Sequence, residues 1–193
     1  MSHSADLDRK VLAAVERLGR ALRAARQDVA TRHEVSLLGL SVIETLADGR
    51  PRRVGDLAAE LDVSQPTVSD AVTVLHKRGL IRRDRDPADL RSTLVALTDD
   101  GDHLAADTAT ELAPLLAAGS GTDADRATTL RVLLGEIARL QAAGVITVNR
   151  SCLSCRHYQP PGPRTRARCL LLATALADRD LRVDCPEHEP IPA

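Results

Sequence analysis

The feature that most constrains this chain is a helix-turn-helix pattern followed by a basic hairpin, between residues 54 and 97. The second helix of the pattern is predicted to begin at Ser64, whose hydroxyl can accept a hydrogen bond from a free backbone N–H of the first turn. Pro66 is tolerated there because first-turn N–H groups have no partner within the helix. Gly79 suits the left-handed position that ends many helices. One face of this helix is apolar at helical spacing: Val68, Ala71, Val72 and Leu75.

The opposite face of this helix is polar, and a hairpin rich in arginine follows it. The polar face consists of Gln65, Thr67, Ser69, Asp70, Thr73, His76 and Lys77. Residues 81–83 and 92–97 are predicted strands, joined by turn formers from Asp84 to Asp89. Five arginines lie within fourteen residues: Arg78, Arg82, Arg83, Arg85 and Arg91. This combination suits duplex DNA, because a polar helix can read base edges in the major groove while arginines hold phosphates or enter the minor groove.

A companion helix precedes the turn, and the complete unit resembles a known family. The apolar positions of this helix are Val54, Leu57, Ala58 and Leu61, and residues 62–64 form the predicted turn. The order helix, turn, helix, wing resembles the MarR family of winged helix-turn-helix regulators. The matching segments are VGDLAAELDVSQPTVSDAVTVLHKRGLIRR and the wing DRDPADLRSTLVALTDDG, which includes Asp89-x-Arg91 and Leu97-Thr-x-x-Gly101. The likeness covers roughly residues 7 to 142.

The resemblance implies a mainly α fold with a small β-hairpin wing, assembled as a homodimer through the first helix and the last two. A two-fold symmetric dimer matches a pseudo-palindromic operator in double-stranded DNA, with half-sites about one helical turn apart. Asp89 is expected to orient Arg91 within the wing. We expect Gln65, Thr67, Asp70 and Thr73 to read bases, and Arg83, Arg85 and Arg91 to contact phosphates or the minor groove. Ser64 and Lys77 complete the candidate DNA-binding residues.

The charge and composition of the chain are compatible with this function. A formal net charge of −1 would argue against a nucleic-acid partner if it were spread evenly. Between residues 64 and 91, however, six Lys or Arg accompany four Asp, so positive charge is in excess on the predicted contact surface. Phe and Trp are absent, so Ala, Leu and Val must build the core. No apolar run can span a bilayer and no signal-peptide pattern opens the chain, so we expect a cytoplasmic protein.

Helical periodicity extends on both sides of the central unit. It predicts a long first helix over residues 7–29 and a second over about 36–46. A helix capped by Thr98 follows the wing, and Pro114 is expected to kink or end it. The last helix, around residues 127–140, is apolar over more than one face, which a dimer interface requires. Deeper burial within a single chain is the alternative explanation.

The chain changes character beyond Gly144. Residues 145–193 hold all four cysteines, in the order Cys152-Leu-Ser-Cys155, Cys169 and Cys185-Pro186. This segment is rich in proline and too poor in apolar residues to form its own core, so it needs a covalent or metal staple. A short helix is predicted over residues 170–181. We therefore predict two domains: residues 1–144, with a DNA-binding core at about 36–98, and a cysteine-rich tail at 145–193.

Four explanations of the cysteines remain open. Disulfides suit a secreted chain but not a cytoplasmic one, where thiol buffers are reducing. A structural zinc is reasonable for Cys-x-x-Cys, although a second such pair would be usual. An iron–sulfur cluster, with two or four irons, tolerates isolated cysteines and a last ligand followed by proline, as at Cys185. Four unliganded thiols are the fourth explanation, and His157 and His188 are further candidate ligands.

These patterns lead to three functional hypotheses. The first is a dimeric DNA-binding regulator, expected to be a repressor because repression is commoner in the MarR family. An iron–sulfur cluster on Cys152, Cys155, Cys169 and Cys185 modulates its DNA affinity. The cluster senses redox state, oxygen, nitric oxide or iron. The second replaces the cluster with structural zinc and the signal with a small ligand. The third is a thiol redox enzyme, which we do not expect because no βαβ pattern surrounds the Cys-x-x-Cys pair.

Overall fold

The computed structural model describes residues 3–87, 89–117 and 121–191, except for the side chains of residues 3, 4, 90, 91 and 115–117. The chain divides into two compact units, residues 1–118 and residues 119–193. None of the described helices combines the length and the apolar character needed to cross a membrane.

The first unit is mainly helical with one small antiparallel sheet, which confirms the predicted fold class. Its sheet has the strand order β1-β3-β2, so the two wing strands β2 and β3 are extended by a short strand from the region before the helix-turn-helix. The elements, in chain order, are α1 (His3–Arg32), α2 (Leu37–Leu46), β1 (Arg52–Arg53), α3 (Val54–Glu60), α4 (Gln65–Lys77), β2 (Ile81–Asp86), β3 (Asp89–Leu97) and α5 (Asp99–Ala117).

The core of this unit joins the helix-turn-helix to α2 and to the wing. Ser36 caps α2 by accepting a hydrogen bond from the N–H of Gly39 at 2.9 Å. The predicted apolar face of α4 is inside, with Val68 and Val72 fully buried and Leu75 almost so. Other large, fully buried apolar side chains of this unit are Leu40, Val42, Ile43, Leu46, Leu57, Ile81 and Val95. Burial of this face fixes which side of α4 points to solvent.

Two local predictions for this unit need correction. The wing strands are longer than expected, because the antiparallel ladder continues to the pair Asp86 and Asp89 through an irregularity after Arg85. Pro114 does not end α5, which continues to Ala117. A proline removes the N–H that would donate to the carbonyl four residues earlier, and since only three helical residues follow Pro114, this loss lies close to the end of the helix.

The second unit contains one long helix and a small three-stranded antiparallel sheet of order β4-β5-β6. The helix α6 begins with a capping box, in which Thr122 and Asp125 exchange hydrogen bonds. The first 3-10 turn, which carries Cys152, and the second 3-10 turn both pack against α6. The elements are α6 (Asp123–Ala142), the first 3-10 turn (Cys152–Ser154), β4 (Tyr158–Gln159), β5 (Ala167–Cys169), β6 (Thr174–Leu176) and the second 3-10 turn (Asp178–Asp180).

The helix predicted over residues 170–181 is wrong. This stretch forms the turn between β5 and β6, then β6 itself and the second 3-10 turn, with Cys169 paired to Thr174 and Ala173 in a left-handed conformation at φ 52°. A short apolar run has no periodicity that distinguishes helix from strand, and the pairing of β6 with β5 decides for the strand. Because α6 belongs to the second unit, the division of the chain into two compact units lies before this helix. The boundary at residue 144 between the predicted domains stays a prediction.

Gly101 provides a test of how tightly the wing and α5 are joined. A Cβ at this position would lie 2.0 Å from the carbonyl oxygen of Leu80, which accepts the N–H of Thr98. We expect Gly101→Ala to lower the free energy of unfolding by about 1–3 kcal/mol, because buried overpacking forces the backbone apart. Urea denaturation measures the change.

The matched control is Gly19→Ala in α1, where an added Cβ meets no heavy atom within 4 Å. Since alanine is the better helix former, this variant is expected to gain about 0.5–1 kcal/mol. Equal stability of the Gly101 variant and the wild type would contradict the close approach.

Candidate DNA-binding surface and cysteine site

The outer face of α4 presents most of the predicted base-reading residues to solvent. Gln65, Thr67, Asp70 and Lys77 are all exposed. The hydroxyl of Ser64 accepts from the N–H of Thr67 at 3.4 Å and lies 2.6 Å from the Thr67 hydroxyl. Ser64 therefore acts as the helix cap in this structure, and any contact of Ser64 with DNA remains a prediction.

Thr73 connects this helix to the wing. Its hydroxyl donates to the carbonyl of Ser69 at 2.8 Å and accepts from Nη2 of Arg83, also at 2.8 Å. Thr73 and Arg83 were predicted to contact DNA separately, one reading bases and the other holding the backbone. The structure brings them together, so the side chain of Arg83 is oriented by α4.

The wing is anchored by a pair that the sequence did not indicate. Nε of Arg53 donates to Oδ2 of Asp86 at 2.8 Å, and Asp86 is 5% exposed. The contact with Asp86 raises the pKa of the Arg53 guanidinium, since the carboxylate favours its charged form. These residues are 33 positions apart, so local spacing carries no signal of their contact.

The remaining wing residues differ in whether other groups of the wing hold their side chains. Arg82 is held within the wing, because Nε lies 3.0 Å from Oδ2 of Asp84 and Nη1 donates to the carbonyl of Leu97. Arg85 is exposed on β2. Asp89 accepts from the hydroxyl of Ser92 at 2.7 Å. The side chain of Arg91 lies outside the described residues, so its predicted pairing with Asp89 stays a prediction.

All four cysteines of the second unit line one cavity. Its empty volume is about 350 Å³, including the part that opens to solvent. Cys152 is in the first 3-10 turn, Cys155 follows that turn, Cys169 ends β5, and Cys185 lies in the C-terminal segment. The other lining residues are His157, Tyr158, Leu171, Leu172, Leu176 and Glu187. The fold thus brings Cys169 and Cys185 together with the Cys152–Cys155 pair, although Cys185 lies 33 positions after Cys152 in the sequence.

Backbone hydrogen bonds hold the cysteine-bearing segments in place. The N–H of Cys155 donates to the carbonyl of Cys152 at 3.1 Å, which closes the Cys-x-x-Cys turn. The N–H of Cys185 donates to the carbonyl of Arg150 at 3.0 Å, which ties the C-terminal segment beside that turn. The N–H of Cys152 donates to the carbonyl of Arg182 at 3.0 Å. Backbone hydrogen bonds therefore hold these segments together, and all four thiols are free in this structure.

Charged groups surround two of the thiols. The backbone N–H of Arg182 donates to Sγ of Cys152 at 3.2 Å, and its Nη1 lies 3.7 Å from Sγ of Cys185. The Cys185 thiol also lies 3.4 Å from Oε2 of Glu187. Burial raises the pKa of the Cys152 thiol, and the contact with Cys185 raises the pKa of Arg182.

The two candidate histidines occupy different positions. His157 lines the cavity, and its Nε2 lies 3.0 Å from Oε1 of Glu189. Nε2 of His188 lies 3.0 Å from the hydroxyl of Ser154, a buried residue that ends the first 3-10 turn. Among the described residues, no three His, Cys, Asp or Glu side chains converge as closely as ligands of a single metal ion must. Whether either histidine is a ligand stays a prediction.

Comparison with known proteins identifies the class of the first unit. Residues 35–92 match the model of the MarR family. The fold matches a crystal structure of a MarR family transcription regulator with a TM-score of 0.63 and 23% identity, over 73% of this chain and 94% of that one. A search of curated proteins finds no match to this sequence.

Two further structures agree with this assignment. The transcriptional regulator BldR from Sulfolobus solfataricus matches with a TM-score of 0.57 and 20% identity, over 70% of this chain and 99% of that chain. A MarR family regulator from Listeria monocytogenes, solved with a 26mer DNA, matches with a TM-score of 0.60 and 18% identity, over 67% of this chain and 87% of that chain. The chain therefore has the MarR-like winged-helix fold, with a segment of MarR family sequence at its centre.

Arg85 is the clearest test of a phosphate contact by the wing. We expect Arg85→Ala to weaken DNA binding similarly for all sequences, since phosphates carry no sequence code. The slope of log affinity against log salt concentration should become shallower by about one. Fluorescence anisotropy over a salt series measures it, with Arg20→Ala, an exposed arginine of α1, as the control. An unchanged slope would remove Arg85 from the interface.

Proposed function

We propose that this protein is a MarR-type transcriptional regulator that binds double-stranded DNA as a homodimer, with its affinity modulated by an iron–sulfur cluster on four cysteines. The convergence of Cys152, Cys155, Cys169 and Cys185 on one cavity is the observation that carries the modulation. The exposed polar face of α4 beside an arginine-bearing wing carries the DNA binding. We take repression as the direction of control because it is the commoner one among regulators of this family.

Two features support DNA binding. The apolar face of α4 is buried, which leaves Gln65, Thr67 and Asp70 available to base edges in a major groove. The wing offers Arg85 to the adjacent backbone or minor groove, while Arg83 is braced by Thr73. The Listeria regulator of the same fold was solved with DNA, which agrees with this use of the fold.

Exposed apolar side chains on α1 and α6 support a homodimer. Leu7 and Leu18 of α1 are 61% and 59% exposed, and Val132 of α6 is 50% exposed. Apolar rows of this size on long helices are typical of surfaces that meet a second copy. The other members of the two rows are Val11, Leu12 and Val15 on α1, and Leu133 on α6.

The cysteine cavity is compatible with a polynuclear cluster. Two-iron and four-iron clusters are both held by four cysteine thiolates. The four thiols of this unit line a common cavity. Leu171, Leu172 and Leu176 complete the lining, and apolar surroundings protect a cluster from solvent.

The position of α6 can couple the state of the cluster to DNA binding. The first 3-10 turn, which carries Cys152, packs on α6. Nε of Arg131 on α6 lies 2.9 Å from Oδ2 of Asp178 in the second 3-10 turn. We infer that loss of the cluster loosens both turns and shifts α6 at the dimer interface. The two recognition helices would then no longer match their half-sites, at a coupling of about 1–3 kcal/mol.

One observation favours a second candidate function. A cavity with an empty volume of about 1100 Å³, including the part open to solvent, lies between α1, α2 and α5 and is lined by arginines 23 and 26 as well as leucines. A regulator of similar fold from Rhodococcus jostii, CouR, was solved with p-coumaroyl-CoA bound. In this alternative the signal is a small ligand in that cavity, and the cysteines hold a structural zinc.

The deciding experiment is a visible spectrum of protein purified without oxygen, with iron, sulfide and zinc quantified on the same sample. We expect broad absorption near 400 nm, matched iron and sulfide, and a change of about 5–150-fold in DNA affinity when the cluster is removed. Replacing Cys155 with serine should abolish the absorption but leave the winged helix folded. Colourless protein with one zinc per chain would overturn the proposal in favour of the alternative.

Substitutions in the ion pair between α6 and the second 3-10 turn test the coupling between the cluster and DNA binding. We expect Asp178→Ala and Arg131→Ala each to reduce the difference in DNA affinity between cluster-loaded and cluster-free protein. Stability should change by less than about 1 kcal/mol, because both side chains are partly exposed. The control is Arg139→Ala, which removes the surface pair with Glu136 on the same helix. Identical behaviour of the control and the test variants would exclude this pair from the coupling.

A further inference from the structure

Arg182 is the residue that contacts thiols at both ends of the cysteine site. Its backbone N–H donates to Sγ of Cys152 at 3.2 Å, and Nη1 of its guanidinium lies 3.7 Å from Sγ of Cys185. Its own carbonyl accepts the N–H of Cys152 at 3.0 Å, so the backbone contact is reciprocal and the orientation is fixed. One residue thus connects the first and the last cysteine of the set.

The other arginines near the site are engaged elsewhere. Nε of Arg150 lies 2.7 Å from Asp184, and Nη2 of Arg156 lies 2.5 Å from Glu189. The guanidinium of Arg182, by contrast, lies beside a cysteine sulfur, with Nη1 3.7 Å from Sγ of Cys185. Arg182 therefore places a positive charge next to one of the four thiols.

We propose that Arg182 sets the reduction potential of the iron–sulfur cluster assigned to these cysteines. This inference rests on the proposed function. Reduction adds one electron to the irons, and the added negative charge spreads onto the cysteine sulfurs. A hydrogen bond and a cation at those sulfurs stabilise the reduced form more than the oxidised form, which raises the potential.

Glu187 acts against Arg182 at the same sulfur. Its Oε2 lies 3.4 Å from Sγ of Cys185 and 3.1 Å from Nη1 of Arg182. A carboxylate beside a sulfur disfavours added negative charge, and it also neutralises part of the guanidinium charge. The two side chains form a matched pair with opposite effects on one ligand, so their substitutions are expected to shift the potential in opposite directions.

The test is an anaerobic titration of the purified protein with dithionite, the electron donor, followed by visible absorption. For Arg182→Gln we expect the equilibrium constant of reduction to fall at least tenfold, a shift of about 59 mV to lower potential for one electron. Arg182→Lys keeps a cation without the planar fork and should shift the potential less. The backbone N–H remains in both variants, so the shift reports the guanidinium alone.

Two further variants test whether the shift in potential comes from local electrostatics. Glu187→Gln is expected to raise the potential. Arg179→Gln, which removes an exposed arginine of the second 3-10 turn, should change the equilibrium constant less than threefold. The opposite sign for Glu187→Gln separates local electrostatics from general loosening of the tail, which would shift both variants in the same direction.

The outcomes separate the two proposals. A wild-type protein that binds no iron and sulfide overturns the cluster and the role of Arg182 together. An iron-loaded wild type whose Arg182→Gln variant has the same potential overturns only the role of Arg182. If Arg182→Gln does not retain the cluster, the sign of the Glu187→Gln shift decides, and a shift to lower potential refutes the inference.

Discussion

Burial of one face of α4 is the constraint on which the winged-helix half of the molecule depends. Val68, Val72 and Leu75 are removed from water, and a buried side chain of this size contributes about 1.5–3 kcal/mol. Rotation of the helix would expose that face, so the same burial holds the polar face outward. The wing is placed relative to this face by Arg53 and Asp86 and by the hydrogen bond from Arg83 to Thr73. The core and the proposed DNA contact therefore use opposite sides of one helix.

The cysteine-rich unit solves a different physical problem. Few of the apolar side chains that the structure describes in it are buried, namely Leu134, Cys155, Ala167 and Leu181, and its sheet consists of strands of two or three residues. Backbone hydrogen bonds bring the segments of Cys152 and Cys185 together, and α6 supplies the long surface against which both 3-10 turns pack. A small unit of this kind gains most from a bound group, because binding free energy adds directly to folding free energy. The proposed link between a bound group and α6 rests on these contacts.

Sequence reasoning was strongest where the pattern was local. The cap at Ser64, the apolar face of α4 and the wing arginines were all predicted from spacing, and the winged-helix fold is confirmed. It failed at residues 170–181, because three consecutive leucines carry no helical or strand period and the neighbouring strand decided the outcome. It also expected Pro114 to interrupt α5, whereas the proline lies close enough to the end to be tolerated.

The sequence by itself determined the fold class, the recognition helix and the identity of the four thiols, because these depend on residue type and short-range periodicity. Only the tertiary structure decided that all four thiols share a cavity, that Asp86 is buried against Arg53, and that Arg182 lies between Cys152 and Cys185. These contacts join residues about 30 positions apart in the chain. Such pairing depends on how turns and strands close on one another, and spacing along the chain does not encode it.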